Sequence, residues 1–306
     1  MMFGSWGNTD EAECHRMVHM AIDAGITLFD TADIYDGGES ERILGRALVG
    51  HRQRAAIATK VGNPMDGDPA RSGLSRRWIR QACDDSLRRL QVDHIDLLQM
   101  HRPDSTTPID ETLGAFDELM RAGKIGAIGT STFSAVQLSD AHERAAELGF
   151  ISPSTEQPPY SLLARGIETE VLPILHQRGM RALVWAPLNG GWLTGKYQAT
   201  STDPSSRANR QPDHFDHRND TIRAEKHRLV EALTVIADEA QMTLAQLALA
   251  FVLDDPVVAA ALIGPRTEAQ LHHLVTLGSL TLPAGVRDAV DLVVPPGYNV
   301  NPADAG

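Results

Sequence analysis

Short, continuously apolar runs alternate along this chain with longer segments whose apolar positions recur every three or four residues. The first spacing predicts strands buried on both faces and the second predicts amphipathic helices. Helices are predicted at about 9–24, 39–49, 76–90, 110–122, 134–148, 168–178, 221–240, 243–253 and 267–277. Strands are predicted at 26–30, 55–61, 95–100, 125–130, 154–157, 181–186 and 259–263. The first helix opens with Asp10 and Glu11, acids that suit a helix N-terminus. Repeated strand–helix units with no break in composition predict an α/β fold, a closed parallel (β/α)8 TIM barrel forming a single domain over 1–306.

Seven strands are one short of that closure, and only Met1-Met2-Phe3 precedes the first helix. An open barrel would expose two strand edges. The expectation is therefore that the first strand is truncated, with its start upstream of Met1. The stretch 189–220 lacks periodicity and holds Gly190-Gly191, Pro204 and a polar series, which predicts a substrate or lid loop.

Composition narrows the partners. A net charge of −12 argues against nucleic acid, whose phosphates need a basic surface, but leaves room for a small anionic cofactor in a local positive pocket. Two isolated cysteines, Cys14 and Cys83, are too few for a disulfide framework and suit a reducing compartment. The start has no signal-peptide pattern and no apolar run approaches the roughly 20 residues that span a bilayer. A cytoplasmic protein without a membrane partner is expected. Oligomeric state is not legible. His15 and His19 have a metal-compatible spacing but no third ligand nearby, and His214 and His217 are no stronger, so no metal is expected.

The chemistry gathers where strands end. Asp30-Thr31-Ala32-Asp33-Ile34-Tyr35 follows the first predicted strand, Lys60 closes the second and His101 follows the third. Neighbouring strands lie about 5 Å apart, so three successive ends span roughly 10 Å and can serve one site. A phenol titrates near 10 and is a poor acid–base group at neutrality; an adjacent ammonium favours the phenolate and lowers that value. Asp30 would hold Lys60 in place, and His101 could orient a substrate oxygen. No nucleophile–base pair stands out, so proton transfer coupled to a cofactor is more natural than hydrolysis. Each residue alone has a plainer reading: Asp30 as a cap, Tyr35 as loop packing, Lys60 as a solvated charge, His101 as a satisfied strand-end histidine. Trp6, Trp192 and Tyr197 line a substrate pocket or anchor loops, and the residues leave both open.

The Asp-Thr-Ala-x-x-Tyr segment, Thr59-Lys60 and Leu97 to Asp104 resemble the aldo-keto reductase family. The resemblance runs on through Gly129-Thr130-Ser131-Thr132-Phe133, Glu156 to Leu163, Pro187 to Tyr197 and Ile263 to Leu271, nearly the whole chain in order. It is similar to the branch that includes channel beta-subunit-like and aryl-alcohol dehydrogenase-like members. The resemblance implies NADPH lying across the C-terminal face of a barrel and reduction of a small-molecule aldehyde or ketone to an alcohol. By that resemblance Tyr35 is the general acid, assisted by Lys60 and Asp30, and His101 orients. Ser131 and Gln157 match positions that hold the nicotinamide carboxamide, and Trp185 matches an aromatic stacked on its ring. Pro187, Leu188 and Gly264 fall among the cofactor-binding positions. Arg266 and Thr267 match positions near the 2′-phosphate, and Gln270 the adenosine end. The absence of a Gly-x-Gly-x-x-Gly fingerprint fits a dinucleotide held without a Rossmann turn. Three departures stand out: Thr132 replaces the usual Asn, Leu274 replaces an Asn near the adenine, and the family begins with more sequence. The alternative implied is an NADPH-binding regulatory protein, similar to channel-associated members, with little turnover.

Overall fold

The structure is a computed structural model that describes residues 3–197, 209, 218–277 and 280–305. The chain is organised as two compact units, Met1–Glu156 with Gly264–Leu277, and Gln157–Ile263 with Gly278–Gly306.

The first unit alternates helix and strand. It contains α1 (Glu11–Asp23), β1 (Leu28–Asp30), α2 (Glu39–Ala47), β2 (Ala56–Val61), α3 (Arg76–Leu90), β3 (Leu97–Met100), α4 (Ile109–Arg121), β4 (Ile128–Ser131) and α5 (Ala135–Leu148). Local chemistry explains the boundaries. The Asp10 side chain accepts from Glu13 N–H to cap α1, and Ser134 with Gln137 forms a reciprocal capping box on α5. Strands β1 to β4 pair in parallel in chain order, which aligns Lys60 with Gln99 and Gln99 with Gly129. All four residues of β3 and of β4 are buried, as strands covered on both faces require, even though Gln99, Thr130 and Ser131 are polar. Gly129 is needed there: a Cβ on it would lie 2.8 Å from Gln99 Cγ and 2.5 Å from Thr155 Oγ1.

Strand β5 (Thr155–Gln157) leads into the second unit, which continues with α6 (Val171–Arg178), β6 (Arg181–Val184), α7 (Asp220–Glu239), α8 (Leu244–Leu253) and β7 (Val258–Ala261). Strands β6 and β7 pair in parallel with a register shift after Ala182. The chain returns to the first unit for α9 (Glu268–Val275) and ends in the second with α10 (Val286–Val293).

The seven strands overlap the predicted ones with ends shifted by up to three residues: β4 begins three residues later and ends one later than predicted, and β7 begins one residue earlier. Helix α10 is a difference, since no helix is expected after Pro283. Its flanking Pro283, Gly285 and Pro295 hide a helix only eight residues long. Phe3 is buried and bridged to Asn8, so residues 3–8 form a tight turn. Most of the expected substrate loop, 198–208 and 210–217, lies outside the described residues, as do His214 and His217. Its opening is a 3-10 turn, Asn189–Thr194. Cys14 and Cys83 are buried free thiols, pushed up by burial to about 11 and about 12. Among the described residues no single helix is long and apolar enough to cross a membrane.

Candidate active site

The first unit gathers Asp30, Tyr35, Lys60 and His101. Asp30 ends β1, Lys60 lies on β2, and His101 directly follows β3 with its N–H donating to Val61 O at 2.8 Å. Tyr35 opens a 3-10 turn to Gly38 that the sequence reaches by continuing strand-like pairing past β1. Thr31 N–H donates to Ala58 O at 2.9 Å and Asp33 N–H to Lys60 O at 3.1 Å. The turn then reverses through Asp36 and Gly37 at φ 52° and 60°. Asp36 is fixed by Ser5, whose N–H and Oγ donate to its carboxylate at 2.9 and 2.5 Å.

Lys60 is the centre of the cluster. Its side chain is 1% exposed, and Nζ donates to Asp30 Oδ2 at 2.6 Å, to Thr31 O at 2.7 Å and to Tyr35 Oη at 3.5 Å. Burial disfavours the ammonium, but Asp30 and Tyr35 outweigh it and hold the lysine above its ordinary value. Gln99 Nε2 donates to Asp30 Oδ1 at 3.1 Å, so both carboxylate oxygens are engaged. The His101 ring stands edge-on to Tyr35, with centroids 5.9 Å apart and planes at 80°. Burial, with Lys60 and Arg102 adding to it, pushes His101 down to about 3. It is therefore a neutral imidazole, and its Nδ1 is buried without a hydrogen-bond partner among the described residues. The cluster presents a phenol, touched by a charged lysine, beside an imidazole that can hydrogen-bond but carries no charge.

Other expected residues fall into local groups. Ser131 ends β4 and is buried beside Thr132, which takes φ 59°, an uncommon conformation for a β-branched residue. Glu156 underlies that turn and accepts from Phe133 N–H at 3.2 Å. Burial pushes its carboxyl up to about 7, with the hydrogen bonds it accepts acting against the shift. Thr267 caps α9, its Oγ1 accepting from Gln270 N–H at 3.2 Å, while Gln270 Oε1 accepts from Arg266 N–H at 2.8 Å. Asn8 Nδ2 donates to Arg266 O at 2.8 Å. A guanidinium beside a helix N-terminus suits a phosphate. Gly264 is exposed two residues before it.

In the second unit Gln157 and Pro187 are buried, and Trp185 and Leu188 are half-buried. Trp185 N–H donates to Pro158 O at 3.0 Å, and Tyr160 N–H to Trp185 O at 3.2 Å. Trp192 is 1% exposed and packs edge-on against Tyr197 and His227, which makes it a loop anchor; Trp6 is 48% exposed. His19 Nε2 is engaged with Ala47 O at 2.9 Å.

Sequence reasoning overlooks Gln99, Glu156 and the buried Asp33. For Gln99 the available signal is a single polar residue within the apolar strand Leu97–Met100; Glu156 lies in the polar run Ser154-Thr155-Glu156-Gln157, which carries no such signal.

Residues 1–294 match the aldo/keto reductase family. The chain is 38% identical over 287 residues to the uncharacterized oxidoreductase YrpG of Bacillus subtilis, covering 90% of this chain and 85% of that one. It is 36% identical over 283 residues to a probable voltage-gated potassium channel subunit beta of Arabidopsis thaliana, covering 89% and 85%. It is also 36% identical over 286 residues to the aldo-keto reductase YhdN of Bacillus subtilis, covering 90% and 82%. The chain belongs to the aldo/keto reductase family, whose members are oxidoreductases on a (β/α)8 barrel that generally use NAD(P)H.

Proposed function

We propose that this protein reduces the carbonyl of a small aldehyde or ketone to an alcohol with NADPH. The observation that carries the reading is Lys60 Nζ, buried and bonded to both Asp30 and Tyr35. NADPH supplies the hydride when bound. Arg266 and Thr267 would hold its 2′-phosphate, a fit supported by a guanidinium at the capped start of α9. Ser131 and Gln157 would hold its carboxamide, Trp185 would stack on its ring, Pro187, Leu188 and Gly264 would contact it, and Gln270 would lie by the adenosine.

Tyr35 Oη holds the proton that the substrate oxygen receives as negative charge develops there. Lys60 stabilises the phenolate left behind, and Asp30 keeps the lysine aimed and charged. Asp30 is in turn held by Gln99. His101, neutral at physiological pH, orients the carbonyl by a hydrogen bond without competing as an acid. The test is NADPH labelled with deuterium at C4, incubated with a panel of aromatic and aliphatic aldehydes and small ketones. Deuterium is expected at the carbinol carbon of the product alcohol. Absence of labelled alcohol across the panel, with NADPH bound, would overturn the reading.

The identity to the Arabidopsis thaliana channel subunit favours one second reading, an NADPH-binding regulatory protein that reports redox state to a partner. Stable capture of a membrane channel together with very slow turnover would support it.

A further inference from the structure

Asp33 lies within the segment that joins Asp30 to Tyr35, yet the chemistry above makes no use of it. Its side chain is fully buried, and neither carboxylate oxygen has a hydrogen-bond partner among the described residues. Buried polar groups are almost always bonded, so an orphaned carboxyl needs a physical account.

Its neighbours supply one. Glu41 from α2 is also fully buried and accepts from Thr59 Oγ1 and from Arg89 Nε, both at 2.6 Å. Arg89 from α3 gives its other side-chain bond to Ser86 Oγ at 3.1 Å. It is seated against Gly38, where a Cβ would stand 2.5 Å from Arg89 Cδ and φ is +86°. Lys60 from β2 is committed to Asp30. The two cations near Asp33 are thus each bonded to another carboxylate, and a charged Asp33 would add an anion to this buried cluster with, beyond those committed cations, only the neighbouring Ile34 amide to offset it. Carrying a proton costs less than burying that charge unpaired. Burial, reinforced by Glu41, pushes the carboxyl up to about 8, with Arg89, the neighbouring Ile34 amide and Lys60 acting against it.

We propose that Asp33 is a positioning residue held as a neutral carboxylic acid, and that its ionisation loosens segment 31–41 and withdraws Tyr35 from Lys60. The backbone makes this coupling direct. Asp33 N–H donates to Lys60 O at 3.1 Å, and Thr31 O accepts from Lys60 Nζ at 2.7 Å. A newly charged Asp33 must reach water or a donor, and the backbone that moves with it carries Tyr35 two residues on. The catalytic half of this inference rests on the reading of Tyr35 as general acid; the structural half does not.

The test compares the full-length protein with Asp33→Asn, which keeps the shape and removes the titration. Each pH unit above a carboxyl's pKa lowers its protonated fraction about tenfold. The ratio of kcat for D33N to wild type is therefore expected to rise about tenfold between pH 6.5 and 9, and taking the ratio cancels titrations common to both proteins. Amide exchange of the peptide covering 31–41 is measured in parallel. It is expected to become faster in wild type than in D33N over the same interval. Flat ratios in both readouts overturn the proposal. A rising exchange ratio in a protein that turns over no carbonyl keeps the buried acid and removes the reductase reading. Glu41→Gln is the second variant, since it removes the negative neighbour while an amide oxygen still accepts from Arg89. It should move the alkaline opening of the segment to lower pH, and an unmoved opening would contradict the proposal even where D33N does not fold.

Discussion

Two buried ionic clusters in this molecule look alike by charge and differ in what they leave unfinished. In the second unit Arg165 is 1% exposed and donates to Glu168 through Nε at 2.9 Å and Nη2 at 2.8 Å. It also pairs with Asp291 at 2.7 Å, donates to Val294 O, and lies over the Phe251 ring. Tyr160 Oη donates to the same Glu168 at 2.7 Å. The Arg165 guanidinium is tied on every side, as in a structural clamp. In the first unit Lys60 is as deeply buried and as well paired with Asp30, but its third contact is a phenol at 3.5 Å beside His101, whose Nδ1 has no hydrogen-bond partner among the described residues. A buried ion pair is therefore weak evidence of function. An ion pair that ends on an acid–base group, beside a neutral imidazole with spare capacity, is stronger evidence.

The contrast predicts opposite kinetic signatures. Lys60→Met should reduce kcat by about 10²–10⁴, the range of a lost acid–base device, while a binding titration shows NADPH still held. Arg165→Leu should cost about 3 kcal/mol of stability by leaving the partly buried Glu168 and Asp291 without their cation, measured by denaturant unfolding. The kcat of the remaining folded protein should stay within about twofold. If Arg165→Leu instead abolished turnover in a stable protein, the two clusters would not differ in kind. Gln99→Leu sits between them. It removes one hydrogen bond to a charged carboxylate, worth about 1.5 kcal/mol of stability, and should lower kcat about tenfold with a fall of only a few degrees in melting temperature.

The smallest effect concerns pH. His101 has its folded value depressed from 6.5 to about 3, so its neutral form adds stability at pH above 6.5, and that contribution is lost as pH falls toward 3. The rate profile should accordingly show no inflection from His101 between pH 5 and 8. The thermal stability of His101→Gln should decline less steeply than wild type below pH 6. An inflection near 6.5 that disappears in His101→Gln would mean the imidazole is solvated and charged.

Much of this was legible in the sequence because the relevant signals are local. The runs forming β2 and β3 are largely apolar, interrupted only by Thr59 and Gln99 before they reach Lys60 and His101, so both the strands and the residues at their ends could be read without coordinates. Helix α10 was hidden because Gly285 and two flanking prolines punctuate an eight-residue element. The buried state of Asp33 was invisible for another reason. A polar residue in a polar motif reads as solvated, and only the packing of Glu41 and Arg89 from two helices, seated on Gly38, removes it from water. Trp192 was ambiguous on similar grounds. A tryptophan in a Gly-rich loop can face either way, and its contacts with Tyr197 and His227 decide the direction. Chemistry carried by a strand end is written in order along the chain; chemistry carried by packing between elements is not.

The most direct test of the central claim is a single-turnover measurement of NADPH oxidation by an excess of protein, with an aromatic aldehyde, comparing wild type with Tyr35→Phe. Loss of the hydroxyl is expected to slow the chemical step by at least about a hundredfold while NADPH binding, followed by fluorescence quenching, changes less than about twofold. Equal single-turnover rates in the two proteins would contradict the assignment of Tyr35 and the proton path built on Lys60.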